Sequence, residues 1–280
     1  MKLSIYTSIQ NGIYFDFHIV EMLKHHLPLA DEIIVNEGYS TDGTYEAIKD
    51  LDPKIRIFRN KWDVSDPNAY YVKFKEQARK MCTGDWCILL DADEFIPEWE
   101  FQRLRQYLSG TDKMIVPLRF THFYGNYKVY IAKLGKFLPQ SGLRIHRNME
   151  SIQVFGDGST VRMDGANNAD IIAAEFIDCH HFSMVRKAAR LREKWRTQAL
   201  RIPETLHINK KRPRFQWLPG FLYDLLPYRW DDKDFLEDLD IYEGHFIKAV
   251  RDNPNEFVRD NFYTYKLILR RHAALKKIEI

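Results

Sequence analysis

The chain has 280 residues, is 45% hydrophobic and 29% charged, and carries a formal charge of +3. That length suits one large α/β domain with an elaborated tail, and so small a charge argues against nucleic acid as the main partner. Three cysteines, Cys82, Cys87 and Cys179, make no even set, so no disulfide framework is expected and a reduced, cytoplasmic setting is the simplest reading. The N-terminus MKLSIYTSIQNG lacks the apolar core of a signal peptide. No stretch nears the roughly 20 apolar residues of a membrane span, so contact with the inner face of a membrane is expected to be peripheral at most.

The first third has a regular rhythm. Short β-like runs fall at Leu3–Thr7, Glu32–Asn36, Ile55–Arg59 and Trp86–Leu90. Helical spacing lies between them, over Tyr14–Leu27, Thr41–Leu51 and Ala69–Met81. Strands recurring with helices between predict βαβ units and a parallel sheet. From Met114 the pattern changes to shorter β-like runs, MIVPLRF, YKVYIA, GLRIHR and IIAAEFI, punctuated by glycines. This reads as a mixed-sheet extension. A basic helix is expected over Val185–Leu200, loop over 203–233, and helices over Phe235–Val250 and Pro254–Lys277. The expected division is 1–113, a βαβ half; 114–200, a mixed-sheet half of the same domain; and 201–280, a helical extension.

Chemistry concentrates where strands end. The run Cys87-Ile88-Leu89-Leu90-Asp91-Ala92-Asp93-Glu94-Phe95 delivers three carboxylates at the end of an apolar strand. Carboxylates beside a dry core resist desolvation unless something cationic compensates them, and a divalent metal is the simplest candidate. Alternation along an extended chain would place Asp91 and Asp93 on one side, facing one metal-bound anion such as a nucleotide diphosphate. The same residues also suit a polar turn after a core strand. A second motif, Asn36-Glu37-Gly38-Tyr39-Ser40-Thr41-Asp42-Gly43-Thr44, follows the second strand. There Glu37 is placed to accept hydrogen bonds from a base or ribose, and Asp42 reads as a helix cap. The third, Cys179-His180-His181-Phe182, reads as a histidine pair after a strand, opening the basic helix. One imidazole would complete a carboxylate-held metal, and Arg186, Lys187, Arg190, Arg192, Lys194 and Arg196 offer charge for phosphate or for solvent.

Together these segments resemble glycosyltransferase family 2. DEIIVNEGYSTDGTYEAI is similar to its nucleotide-binding segment, GDWCILLDADEF to its metal-binding D-x-D segment, HFSMVRKAARLREK to a later H-Y-G-Y-V-R…K segment, and YEGHF at Tyr242–Phe246 to a G-x-H-P element with Phe246 in place of proline. The resemblance covers residues 1–100 and 175–195 best. It implies a GT-A fold with a mostly parallel sheet flanked by helices. It also implies Mn²⁺ or Mg²⁺ as cofactor, a nucleotide diphosphate sugar donor with UDP foremost, and a glycan, lipid-linked or other acceptor such as a growing surface glycan. Thr7, Ser8 and Ile9 would lie beside the base and Glu37 would contact the nucleoside. Asp91, Ala92 and Asp93 would lie at the ribose and metal. His181 would approach the metal or diphosphate, and Arg186 and Lys194 would meet the diphosphate. Tyr39 replaces a usual glycine and Glu76 a usual asparagine.

An inverting transferase also needs a carboxylate to take the acceptor's proton. The candidates are Asp157 in FGDGS, Glu94 and Asp164, with Asp157 preferred although it equally suits a turn between two glycines. Lys210-Lys211-Arg212-Pro213-Arg214, followed by Phe215 and Trp217, suits an anionic acceptor, an anionic membrane surface or a solvated loop. Two other readings stand beside the transferase. A phosphohydrolase of the haloacid dehalogenase type also puts D-x-D after a strand, but Phe95 stands where that family wants threonine or valine. A non-catalytic carbohydrate-binding scaffold would tolerate loss of Asp93.

Overall fold

The structure, a computed structural model, describes residues 1–62, 70–133, 140–165, 168–187, 189–191, 193–194 and 238–276. Strands β1 (Leu3–Ile9), β2 (Glu32–Glu37) and β3 (Ile55–Arg59) run parallel and are joined through helices α1 (Ile19–His26) and α2 (Thr44–Ile48). Helix α3 (Tyr70–Lys80) then carries the chain back across the sheet, and β4 (Trp86–Leu89) pairs with the free side of β1. Every residue of β2 and β4 is buried, as expected of parallel strands covered on both faces. The order β3-β2-β1-β4 reverses its direction of winding between β1 and β4. Ligands of such sheets sit in the crevice outside the carboxyl ends of the strands at that reversal. Thr7 and Asp91 both lie there.

Beyond β4 the sheet turns antiparallel. Strand β8 (Ser141–Arg147) pairs with β4, and β6 (Ile115–Tyr124) with β8. Strand β7 (Asn126–Ile131) pairs with β6, and β12 (Leu239–Ile241) with β7. Strand β11 (Ile177–Met184) lies parallel to β6 and antiparallel to the two-residue β5 (Glu94–Phe95). A separate hairpin, β9 (Ile152–Phe155) and β10 (Thr160–Met163), packs beside α3. Helices α4 (Phe101–Gly110), α5 (Asn168–Ile171), α6 (Lys248–Asp252) and α7 (Tyr263–Lys276) complete the described elements.

The α/β architecture with a largely parallel central sheet and helical C-terminal elements matches the expectation. Several boundaries differ for local reasons. The helix expected from Tyr14 begins at Ile19, because residues 12–17 fold as turns with Asn11 and Asp16 at positive φ. The helix expected from Thr41 begins at Thr44, where Asp42 Oδ1 accepts from Thr44 N at 3.0 Å and Thr44 Oγ1 at 2.6 Å. IIAAEFI is not a strand: Ile171 ends α5 and β11 begins only at Ile177, so the histidine pair lies within a strand and opens no helix. Leu239–Ile241, expected to be helical, is a strand, because Leu239 buries against the edge of β7. Left-handed Asn261 and Phe262 split the last expected helix into a 3₁₀ turn at Pro254–Phe257 and α7. Helix α4 has no counterpart in the expected elements. The loop expected over 203–233 and the basic run Lys210–Arg214 lie outside the described residues. No described helix is long and apolar enough to cross a membrane.

Buried Glu32 ties three segments to the entry of β4. Its Oε1 accepts from Ser4 Oγ and Thr83 N, each at 2.6 Å, and its Oε2 from Arg56 at 3.0 Å. Gly84 is required beside this knot, since a Cβ there would stand 2.7 Å from Ser4 Oγ. Burial pushes the Glu32 carboxyl up, but the hydrogen bonds from Ser4, Thr83 and Arg56 outweigh it and hold it at about 2. A depressed carboxylate contributes stability above its unfolded value and loses it as pH falls towards the folded one. Between about pH 4.5 and pH 2 the protein is therefore expected to lose up to about 3 kcal/mol through this group. Urea denaturation across that range should show a shallower loss for Glu32→Gln, from a lower starting stability. An equal slope would exclude Glu32 as the source.

Candidate functional site

Asp91 and Asp93 sit in the turn that follows β4, and Glu94 opens the two-residue strand β5. Asp91 N donates to Glu94 Oε2 at 2.8 Å and Glu94 N to Asp91 O at 3.0 Å. Phe182 N of β11 donates to Asp93 O at 2.8 Å and fixes the turn against the sheet. Asp91 and Asp93 thus reach one site through the turn and not by strand alternation. Ala92, between them, is 2% exposed and serves as packing.

Their compensation comes from the chain itself. Asp91 Oδ1 is bonded by Lys75 of α3, and Asp91 Oδ2 lies 3.3 Å from Arg144 of β8. The same Arg144 donates to Glu94 Oε1 at 2.7 Å. Asp93 Oδ2 is bonded by Arg186 and lies 3.6 Å from Lys194. Phe17 closes the cluster, with the Arg186 guanidinium 3.8 Å and the Lys194 ammonium 5.2 Å from its ring centre. Three acids thus face four cations of the chain itself. Burial pushes the Asp91 carboxyl up, but Lys75 and Arg144 prevail and hold it at about 2. Asp93 is likewise held well below the usual range against burial, chiefly by Lys194 and His181. Glu94 is pushed up by burial despite Arg144. Burial and neighbouring Arg186 lower Lys194 to about 8, against the pull of Asp93.

On the other side of Asp93, Oδ1 faces His181 Nε2 at 3.5 Å. The opposite nitrogen of that imidazole, Nδ1, lies 2.9 Å from His122 Nδ1 of β6. One of those two nitrogens carries the shared proton and the other accepts it. When His181 carries it, Nε2 presents a lone pair beside Asp93 Oδ1. A carboxylate oxygen suits both Mn²⁺ and Mg²⁺, an imidazole nitrogen suits Mn²⁺ better than the harder Mg²⁺, and their separation lets one ion touch both. No group of three or more metal-ligating side chains exists among the described residues.

At the end of β1, Thr7 and Ser8 each hold a buried hydroxyl with no hydrogen-bond partner. Such orphaned groups are costly when dry, and these lie near the carboxyl end of β1, beside the winding reversal. Ile9 differs: its side chain belongs to the apolar core. The Glu37 carboxylate is wholly buried and already engaged, by Arg59 Nε at 2.6 Å, Ser40 N at 2.6 Å and Tyr39 N at 3.1 Å. The Arg59 guanidinium lies 4.4 Å from the ring centre of Tyr39 and 4.1 Å from that of Tyr45. Glu37 thus holds a shelf of Arg59 and exposed Tyr39 instead of offering a free acceptor.

Asp157 comes near through its neighbour. Lys75 Nζ, bonded to Asp91, also donates to Gly158 O at 2.9 Å. Gly158 has φ +84°, and a Cβ there would press on Tyr71 at 3.0 Å. Asp157 Oδ1 caps Ser159 N at 3.0 Å. Asp164 pairs with Arg162 at 3.1 Å on the hairpin surface. Arg192 and Arg196 lie outside the described residues. Lys75, Arg144 and His122 are the functional candidates that sequence reasoning missed.

Comparison with known proteins adds the following. No curated protein matches the chain by sequence. Among solved structures, the chain is similar to Staphylococcus aureus TarS 1-349 at 13% identity and TM-score 0.42, covering 72% of this chain and 65% of that one. It is similar to glucosyl-3-phosphoglycerate synthase from Mycobacterium tuberculosis, in complex with Mn²⁺, UDP-glucose and phosphoglyceric acid, at 16% identity and TM-score 0.42, covering 72% and 80%. It is also similar to mannosyltransferase PcManGT from Pyrobaculum calidifontis, in complex with GDP-Man and Mn²⁺, at 18% identity and TM-score 0.34, covering 42% and 35%. The chain spans less than two thirds of the length of the TarS structures it matches. The family model of glycosyl transferase family 2 matches residues 19–190, which take in Asp91, Asp93, His181 and Arg186; since that is more than half of the chain, the protein belongs to glycosyl transferase family 2.

Proposed function

We propose that this protein is a metal-dependent, inverting glycosyltransferase that moves a sugar from a nucleotide diphosphate donor, UDP foremost, to a glycan or lipid-linked acceptor. One observation carries the reading: in a chain of this family, Asp91, Asp93 and Glu94 meet Lys75, Arg144, Arg186 and Lys194 at the winding reversal of the sheet. Cations in excess over carboxylates in a buried site favour an anionic ligand. In this assignment Thr7 and Ser8 bond the nucleoside, and Glu37 acts through the Tyr39–Arg59 shelf. Arg186 and Lys194 turn from Asp93 towards the diphosphate. Asp93 Oδ1 and His181 Nε2 would hold Mn²⁺ or Mg²⁺, with Asp91 behind them. The ion, when bound, supplies positive charge where the departing diphosphate becomes more negative. Once turned to the diphosphate, Arg186 and Lys194 stabilise that same charge.

Inversion requires a proton acceptor on the far side of the sugar. We assign this role to Asp157, whose loop Lys75 ties to the donor carboxylates. We assign donor binding to residues 1–113, the acceptor side to 114–200 and an extension to 201–280. Three buried, unpaired thiols suit a reducing compartment, and we place the reaction in the cytoplasm. Family membership gives no support to the phosphohydrolase reading.

Three measurements test these roles. Calorimetric titration with UDP and Mn²⁺ should show binding for the wild type and at least a ten-fold loss, about 1.4 kcal/mol, for Asp93→Ala at a temperature where circular dichroism shows the variant still folded. Equal affinity would remove Asp93 from the site. His181→Ala should lower turnover by more than ten-fold, again about 1.4 kcal/mol or more in the barrier; wild-type kinetics would return His181 to a packing role. Asp157→Asn should depress kcat while leaving UDP affinity intact. Normal turnover by that variant would send the search for the base elsewhere.

A further inference from the structure

Trp99, in the 3₁₀ turn at Glu98–Glu100, keeps 44% of its surface exposed. It lines a cavity of about 280 Å³ together with Arg119, Asp178, His180, Tyr242 and His245. This cavity is not the donor site. Phe120 and His122 of β6 stand with His181 of β11 on the face of Asp93. Strand alternation turns Arg119, Asp178 and His180 to the opposite face. Tyr242 and His245 come from the YEGHF segment, which the donor site does not use.

We propose that this cavity is a saccharide-binding subsite that takes one neutral sugar ring, belonging to a distal residue of the acceptor. The role rests on the glycosyltransferase reading; the chemistry of the cavity does not. Its volume falls just below the roughly 300–1,000 Å³ of sites for drug-sized ligands, so it suits one ring and not a nucleotide. Trp99 offers an indole face whose orientation is set by edge contacts, with ring centres 5.9 Å from His180 and 6.2 Å from His245. The C–H face of a pyranose would cover that apolar surface. Around it stand polar groups of both senses. Arg119 Nε donates to Asp178 Oδ1 at 2.7 Å, leaving Asp178 Oδ2 outside the pair. Tyr242 Oη lies 3.2 Å from His180 Nε2 and donates to His245 O at 3.2 Å. The Arg119 and Asp178 charges cancel. His180 is buried, and its Nε2 meets Tyr242 Oη, so it stands in the pocket as a hydrogen-bonding group. A pocket with an aromatic face, paired donors and acceptors and no net charge recognises hydroxyls better than phosphate.

The test uses the full chain labelled with fluorotryptophan, the Trp99 resonance being assigned through Trp99→Phe. The probes are glucose, galactose, mannose, N-acetylglucosamine, cellobiose and maltose at millimolar concentration, with inorganic phosphate and UDP–Mn²⁺ as separate titrants. At least one sugar should shift the Trp99 resonance saturably, phosphate should not, and Arg119→Ala or Trp99→Ala should weaken sugar binding at least ten-fold in calorimetry. UDP affinity should stay unchanged in both variants. A Trp99 resonance that ignores every sugar, or that follows phosphate instead, overturns the subsite. Sugar binding at Trp99 in a protein that fails to bind UDP would uphold the subsite and bring down the donor assignment alone.

Discussion

The cost of burying Asp91, Asp93 and Glu94 at the end of β4 shapes the rest of this molecule. Asp93 and Glu94 are almost wholly excluded from water, and an uncompensated charge in such a place costs several kcal/mol. The fold answers with four cations drawn from far apart: Lys75 from α3, Arg144 from β8, and Arg186 and Lys194 from beyond β11. They arrive on three separate segments of the chain. The site therefore exists only once the parallel half and the antiparallel half of the sheet have joined, and its ion pairs are long-range contacts that lock the two halves together.

That arrangement makes the site responsive to a ligand. A carboxylate and a cation that satisfy each other are stable without any ligand, yet an anion offers the cations a better-matched partner. Asp93 is built for such an exchange, because its two oxygens look different ways. Oδ2 meets Arg186 and Lys194, whereas Oδ1 meets His181. Losing the contacts on Oδ2 to a diphosphate would leave Oδ1 and the imidazole as they are. Lys75 extends the same logic outward, since one ammonium bonds both Asp91 and the carbonyl of Gly158. Lys75 thus joins Asp91 directly to the Asp157 loop, with no intervening segment.

Much of this was legible in the residues. The βαβ rhythm is carried by contiguous apolar runs, and parallel strands buried on both faces leave little else that such runs could be. Asp91, Asp93 and His181 stand in short segments whose polarity conflicts with their apolar flanks, and conflict of that kind marks functional sites. Lys75, Arg144 and His122 gave no comparable sign. A lysine in a helix or an arginine in a strand is ordinary, and its meaning depends on a partner 16, 50 or 53 residues away. Glu37 shows the converse: its position at a strand end was plain, but its saturation by Arg59, Ser40 and Tyr39 depended on β3 arriving beside it. The histidine pair was placed outside the strand because IIAAEFI carries as strong an apolar signal as the true strand IDCHHFSM, and only pairing with β5 and β6 separates them.

Strand β11 then explains why two neighbouring histidines differ so much. Their backbones are consecutive, but one side chain faces the carboxylates and the other the cavity beneath Trp99. His181 is partly exposed and meets Asp93 and His122, an environment of charge and proton exchange. His180 is buried against Phe123 and Tyr242, an environment that keeps it neutral. A shift of register by one residue would exchange these surroundings, placing a neutral, buried imidazole beside Asp93 and a polar one in the aromatic layer. The pairing of His181 with His122 on one side and with Glu94 on the other opposes that slip. The short strand β5, only two residues long, thus has a function out of proportion to its length: it holds the carboxylate turn and the histidine strand in the one register in which both faces of β11 are usable.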